Sequence, residues 1–174
     1  MKKNVLLIML LMICLLTAFI RAEAKTKKDR SFGLSASIQD SHIGIKVPFW
    51  VGRKTVIAPS FGYVFIEDSG HDLNVGLTIN NYFSIKKVAP YFGLSAGSLI
   101  LFPDKDRSWV DEDNYVDWVV GIAFGLEYFF DKNLSIGIEV QGNATFSDKE
   151  STRFGNPGGI NFNTGTVIIG SIYF

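Results

Sequence analysis

The chain has 174 residues, enough for one domain, and its 17 Lys+Arg balance 17 Asp+Glu, so no net charge draws it to nucleic acid. A 47% hydrophobic content comes with 17 Gly, 15 Phe, 6 Tyr and 3 Trp, which suits many short strands better than a helical bundle. The one cysteine, Cys14, excludes an internal disulfide and any thiolate metal cluster.

In chain order, Lys2 and Lys3 form a positive start, Val5 to Ile20 an apolar stretch, and Ala22-Glu23-Ala24 a small-x-small cleavage site. Residues 1–24 are therefore expected to be a cleaved secretory signal peptide, leaving 25–174 as the mature domain. Ile13 before Cys14 is not the small residue that lipid attachment wants. Cleavage removes three basic residues (Lys2, Lys3, Arg21) and one acidic residue (Glu23), so the mature net charge is −2. No later apolar run approaches the ~20 residues of a spanning helix. An exported chain this apolar must fold in solution or span as a closed barrel.

Eight strands are predicted, at 30–40, 42–51, 55–66, 72–84, 89–102, 116–130, 134–147 and 163–174. Each is near the ~9–11 residues that a tilted strand needs to cross a bilayer. The seventh alternates most clearly: Leu134, Ile136, Ile138, Val140, Gly142, Ala144 and Phe146 face one way, with Ser135, Gly137, Glu139, Gln141, Asn143 and Thr145 opposite. The first, fourth and sixth strands repeat the pattern. The non-apolar face is mostly Gly, Ser, Thr and Asn, which suits the interior of a narrow barrel whose apolar face meets lipid.

Connections alternate too. Gly52-Arg53-Lys54, Ile85-Lys86-Lys87 and Asp131-Lys132-Asn133 are tight turns, whereas 103–115 and 149–162 are long. Short periplasmic turns and long outer loops are the habit of outer-membrane barrels. Aromatic pairs at the short-turn edge (Phe49 and Trp50, Tyr82 and Phe83, Tyr91 and Phe92, Tyr173 and Phe174) are expected to form one interfacial girdle.

Phe174, Ile172, Gly170, Ile168 and Thr166 share one face of the last strand. This resembles the C-terminal β-signal of bacterial outer-membrane proteins. Ala89-Pro90-Tyr91-Phe92-Gly93-Leu94-Ser95-Ala96-Gly97 and Gly125-Leu126-Glu127-Tyr128-Phe129-Phe130 resemble the common outer-membrane β-barrel domain, which includes OmpA-type and opacity-type proteins. The resemblance covers 30–174. It implies an OmpA-like or porin-like barrel in a Gram-negative cell envelope, surrounded by outer-membrane lipids and lipopolysaccharide. It also implies that Ile168, Gly170, Ile172 and Phe174 are read by the barrel assembly machinery. It says little about activity, because one barrel hosts many roles. The peptidoglycan-binding domain of full OmpA-type proteins is not among the residues, so that tethering role is not implied.

Three charged residues are assigned to interior positions, Lys46, Glu127 and Glu139, and are expected to form a structural polar network with Lys46 paired to Glu139. Asp104, Asp106, Asp111, Glu112 and Asp113 on the third outer loop lack the spacing of an EF-hand and read as a solvated acidic loop. His42 with Asp68 and Ser69 resembles the order of the lipid A palmitoyltransferase barrel, where a His base serves a Ser nucleophile. Here that enzyme's leading amphipathic helix is missing, and Asn74, Asn143 and Thr145 stand where an apolar acyl pocket belongs. The His-x-Ser pair of the lipid A deacylase barrel is absent.

The expectation is thus an all-β, eight-stranded, up-and-down antiparallel transmembrane barrel. It is read as a monomer without cofactor, metal or nucleic-acid partner. Its role is non-enzymatic: structural, or surface interaction through the outer loops. A lipid A-modifying enzyme, a small channel and a soluble lipocalin-like barrel are the alternatives.

Overall fold

The structure, a computed structural model, describes residues 31–39, 42–66, 70–102 and 114–174. The expected leader, Asp68, Ser69 and the acidic residues of the third outer loop lie outside these. Nine strand segments follow one another: β1 (Gly33–Gln39), β2 (His42–Lys46), β3 (Phe49–Trp50), β4 (Thr55–Ile66), β5 (Gly70–Tyr82), β6 (Val88–Phe102), β7 (Tyr115–Phe129), β8 (Leu134–Phe146) and β9 (Ile160–Tyr173). Every pairing is antiparallel, chain neighbours are sheet neighbours, and β1 meets β9. The sheet closes through β2 on β4, leaving no free side.

Nine segments make eight staves, because β2 and β3 are one stave in one register. Lys46 lies opposite Ser35 and Ser60, and Phe49 lies opposite Phe32 and Ile57, so no residue is gained or lost between them. The break comes from two prolines. Gly33 N donates to Pro48 O at 2.8 Å and Val47 N to Pro59 O at 2.9 Å, but neither proline has an N–H with which to return the bond. Elsewhere the strands lie close to expectation. β5 starts two residues early, at Gly70, and β9 three early, at Ile160, which pairs with Phe146 at the top of β8.

The short turns are locally encoded. The Asp131 carboxylate accepts from Asn133 N at 2.7 Å and Leu134 N at 2.8 Å, which bends the chain from β7 into β8. Asn133 Nδ2 then ties that turn to Tyr173 O at 2.8 Å.

The two faces of the wall differ as alternation requires. Outward side chains are apolar and about half exposed around the ring: Leu34 52%, Phe61 51%, Phe124 59%, Ile138 49%, Ile168 54%. Inward ones are small or polar, with Ser35, Ser37, Thr78, Ala123, Ser135, Thr145 and Ser171 buried. A water-soluble lipocalin-like barrel needs the reverse sidedness, so that alternative does not fit.

The aromatic girdle needs correcting. Period-2 alternation splits each aromatic pair across the wall. Phe83, Phe130 and Phe174 point outward and belong to a girdle, but Trp50, Tyr82, Tyr91, Phe129 and Tyr173 are buried inside. With Val56, Ala58 and Ala89 they form a core at the short-turn end. Trp50 stacks on Tyr82 with centroids 5.1 Å apart, and Tyr82 leans on Tyr91 at 5.1 Å. An eight-stranded barrel has an interior that side chains can fill, and large rings fill this end.

Candidate functional site: the barrel interior

Above the aromatic floor lie the two buried glutamates. Glu127, on β7, accepts hydrogen bonds from the Tyr82, Ser135 and Tyr173 hydroxyls, the last at 2.8 Å. Glu139, on β8, accepts from the Tyr91 hydroxyl at 2.8 Å and from the Gln141 amide. Hydroxyl donors to an ionised acceptor are charge-assisted and contribute about 1.5–3 kcal/mol each, which offsets burying a carboxylate. Rings and carboxylates together close the lumen at this level.

Glu127 and Glu139 are thus buried in a polar network, but its donors are the Tyr82, Tyr91, Tyr173 and Ser135 hydroxyls and the Gln141 amide rather than a lysine. Lys46 lines the space above, and no ion pair joins it to either glutamate among the described residues. Ile168, Ile172 and Phe174 face outward, in line with Gly170. His42 opens β2.

The upper half of the lumen is not filled. A chamber of about 510 Å³, open to solvent at its far side, lies between the glutamate layer and the long-loop end. Gly44, Gly62, Gly76 and Gly97 on its wall supply no side chains to fill it. Ser37, Ser60, Asn74, Thr78, Ser95, Gln141, Asn143, Thr145 and Asn163 give it a neutral polar surface.

Arg153, from the loop between β8 and β9, lies over this chamber. Its guanidinium pairs bidentately with Asp72 on β5, with Nη2–Oδ1 at 2.6 Å, and its Nε donates to Asp117 on β7 at 2.9 Å. Asp117 is 1% exposed and also accepts from Ser151 Oγ and Asp148 N, each at 2.9 Å. Burial works against the charge on Arg153, but Asp72 and then Asp117 hold its pKa above the ordinary value. Gly155 and Gly158, with φ of 67° and 69°, give the left-handed turns that fold the loop back.

Sequence reasoning missed this triad. Asp117 shares the inward parity of Glu127, and Asp72 that of Asn74, so the interior charge set had to include both. Arg153 carries no periodic signal, since loop residues have none.

Closure, outward apolarity and a small polar interior define a transmembrane-type β-barrel of eight staves. No family description and no curated relative matches the sequence. Solved structures do match. The N-terminal β-barrel domain of OprF from Pseudomonas aeruginosa superposes with a TM-score of 0.59 at 14% identity, covering 82% of this chain and 95% of that one. Neisserial surface protein A superposes with a TM-score of 0.54 at 12% identity, covering 82% and 92%. Both are small outer-membrane barrels, and this chain has their fold.

Proposed function

We propose that the chain is an integral outer-membrane protein whose barrel anchors outward loops and conducts nothing through its lumen. The carrying observation is the sidedness of the wall: half-exposed apolar residues ring the outside, while the charges among the described residues lie within or at the ends. Only lipid makes that surface favourable. The likeness to small outer-membrane barrels supports the location. The role is non-enzymatic, structural or in surface contact, with outer-membrane lipids and lipopolysaccharide as neighbours and the barrel as a monomer. In this reading the assembly machinery recognises the outward row of Ile168, Gly170, Ile172 and Phe174.

The Tyr–Glu floor speaks against a channel. For the enzyme reading, Asp68 and Ser69 lie outside the described residues, and lipid A from cells with and without the protein should have the same mass spectrum. The main test combines fractionation with conductance. The protein should partition with outer membranes, migrate faster unheated than boiled, and give no unitary current steps in planar bilayers. Recovery in the soluble fraction would sink the membrane claim, and regular steps the closed lumen.

A further inference from the structure

We infer that the chamber beneath Arg153 is a binding site for a small, neutral, hydroxyl-rich solute, a free sugar or the terminal sugar of a surface glycan, with the loop over residues 147–159 as its lid. At about 510 Å³ it falls within the ordinary range of small-molecule pockets.

The chemical class follows from which groups are free. Asp72 and Asp117 are engaged by Arg153, and Glu139 by Tyr91 and Gln141. By contrast, no hydrogen bond to another described residue engages the side chains of Ser60, Asn74, Ser95, Asn143 or Asn163, which all line the chamber. Amides and hydroxyls both donate and accept, so they complement a ligand whose groups do the same. An anion would meet four lumen carboxylates against two cations, Lys46 and Arg153. A cation would have to displace Arg153 from its carboxylates. An apolar ligand would leave the amides unpaired, at a cost for each. Sugar hydroxyls satisfy them without a charge.

The lid follows from the triad. Arg153 ties the loop to β5 and β7 at once, on opposite sides of β6, and Ser151 and Asp148 fasten it to the same Asp117. The floor below is closed by rings, so exchange with solvent passes the long-loop end, which this loop partly spans.

The test uses a thiol placed in the chamber. Residues 25–174 contain no cysteine, so Ser95→Cys in barrel purified from membranes gives one reactive site. Its reaction with a small water-soluble maleimide should be about tenfold faster when Arg153→Ala is added, because the opening equilibrium limits access. Trehalose, or a core oligosaccharide freed of acyl chains, should slow the reaction saturably. Asn143→Leu should abolish that protection. Heat-modifiable migration confirms that each variant is folded. Protection by the first sugar assigns a free solute, and by the second alone a surface glycan. Protection by neither, up to the solubility limit, overturns the ligand class. Equal rates with and without Arg153 overturn the lid.

Discussion

Tyr91 on β6 reaches across β7 to Glu139 on β8, closing a 2.8 Å hydrogen bond between staves that are not neighbours. The register explains the reach. Gly125 lies opposite both residues, so the stave between them carries no side chain there. The Tyr91 ring occupies that space, and a Cβ on Gly125 would run into it.

Gly125→Ala should therefore destabilise the barrel by about 1–3 kcal/mol, the usual cost of overpacking a tight interior. Urea unfolding from lipid vesicles measures it. In a Tyr91→Ala background the same substitution should be nearly neutral. Equal costs in the two backgrounds would mean that the ring does not need the glycine.

The carboxylate partners are testable by coupling. Tyr91→Phe and Glu139→Gln should show a coupling of about 1.5–3 kcal/mol in a double-mutant cycle, as for a hydrogen bond to a charged group. Lys46→Met with Glu139→Gln should show little, since no ion pair joins them. A large Lys46 coupling with none at Tyr91 would restore the lysine-centred network.

How much of this could be read from the residues depends on what period 2 encodes. Alternation along Leu134–Phe146 tells which residues share a face, and lipid outside a closed wall decides which face is apolar, so strands and sidedness were legible. The register between staves was not, because it depends on non-local pairing; hence Lys46 was matched to Glu139 when tyrosines hold that carboxylate. The aromatic pairs were misread for a simpler reason. Adjacent residues such as Tyr82 and Phe83 cannot share a face, and only one of each pair can belong to a girdle. The Arg153 lid was invisible, as glycine-rich loops follow their end-points rather than a repeat.

The lid should fail in a graded way. Asp117→Ala leaves Ser151, Asp148 N and the Arg153 Nε without their acceptor in a buried place, whereas Asp72→Ala removes a carboxylate that is 18% exposed. Breaking the more buried partner costs more, on the order of 3–5 kcal/mol when the remaining charge is fully enclosed. Proteolytic nicking within 147–159 of vesicle-embedded protein should rise for both variants, and further for Asp117→Ala. Identical nicking in wild type and both variants would show that the triad does not hold the loop.

The membrane claim rests on the outer face, and Ile138 tests it most directly. It faces outward at 49% exposure, in line with Leu126 and Ile168 on the flanking staves, a few residues above the short-turn edge. In the proposed membrane placement that height is near mid-bilayer, so Ile138→Arg should place a cation in hydrocarbon, at a cost of about 2–4 kcal/mol for such barrels. Ile160→Arg, at the outer end of β9, should cost only about 0–1 kcal/mol, because charges near the interface are solvated. Reversible unfolding from vesicles gives both values. The depth dependence is the point, since simple loss of an apolar side chain would not grade with height. Equal small costs at both positions would mean that the apolar band does not see lipid.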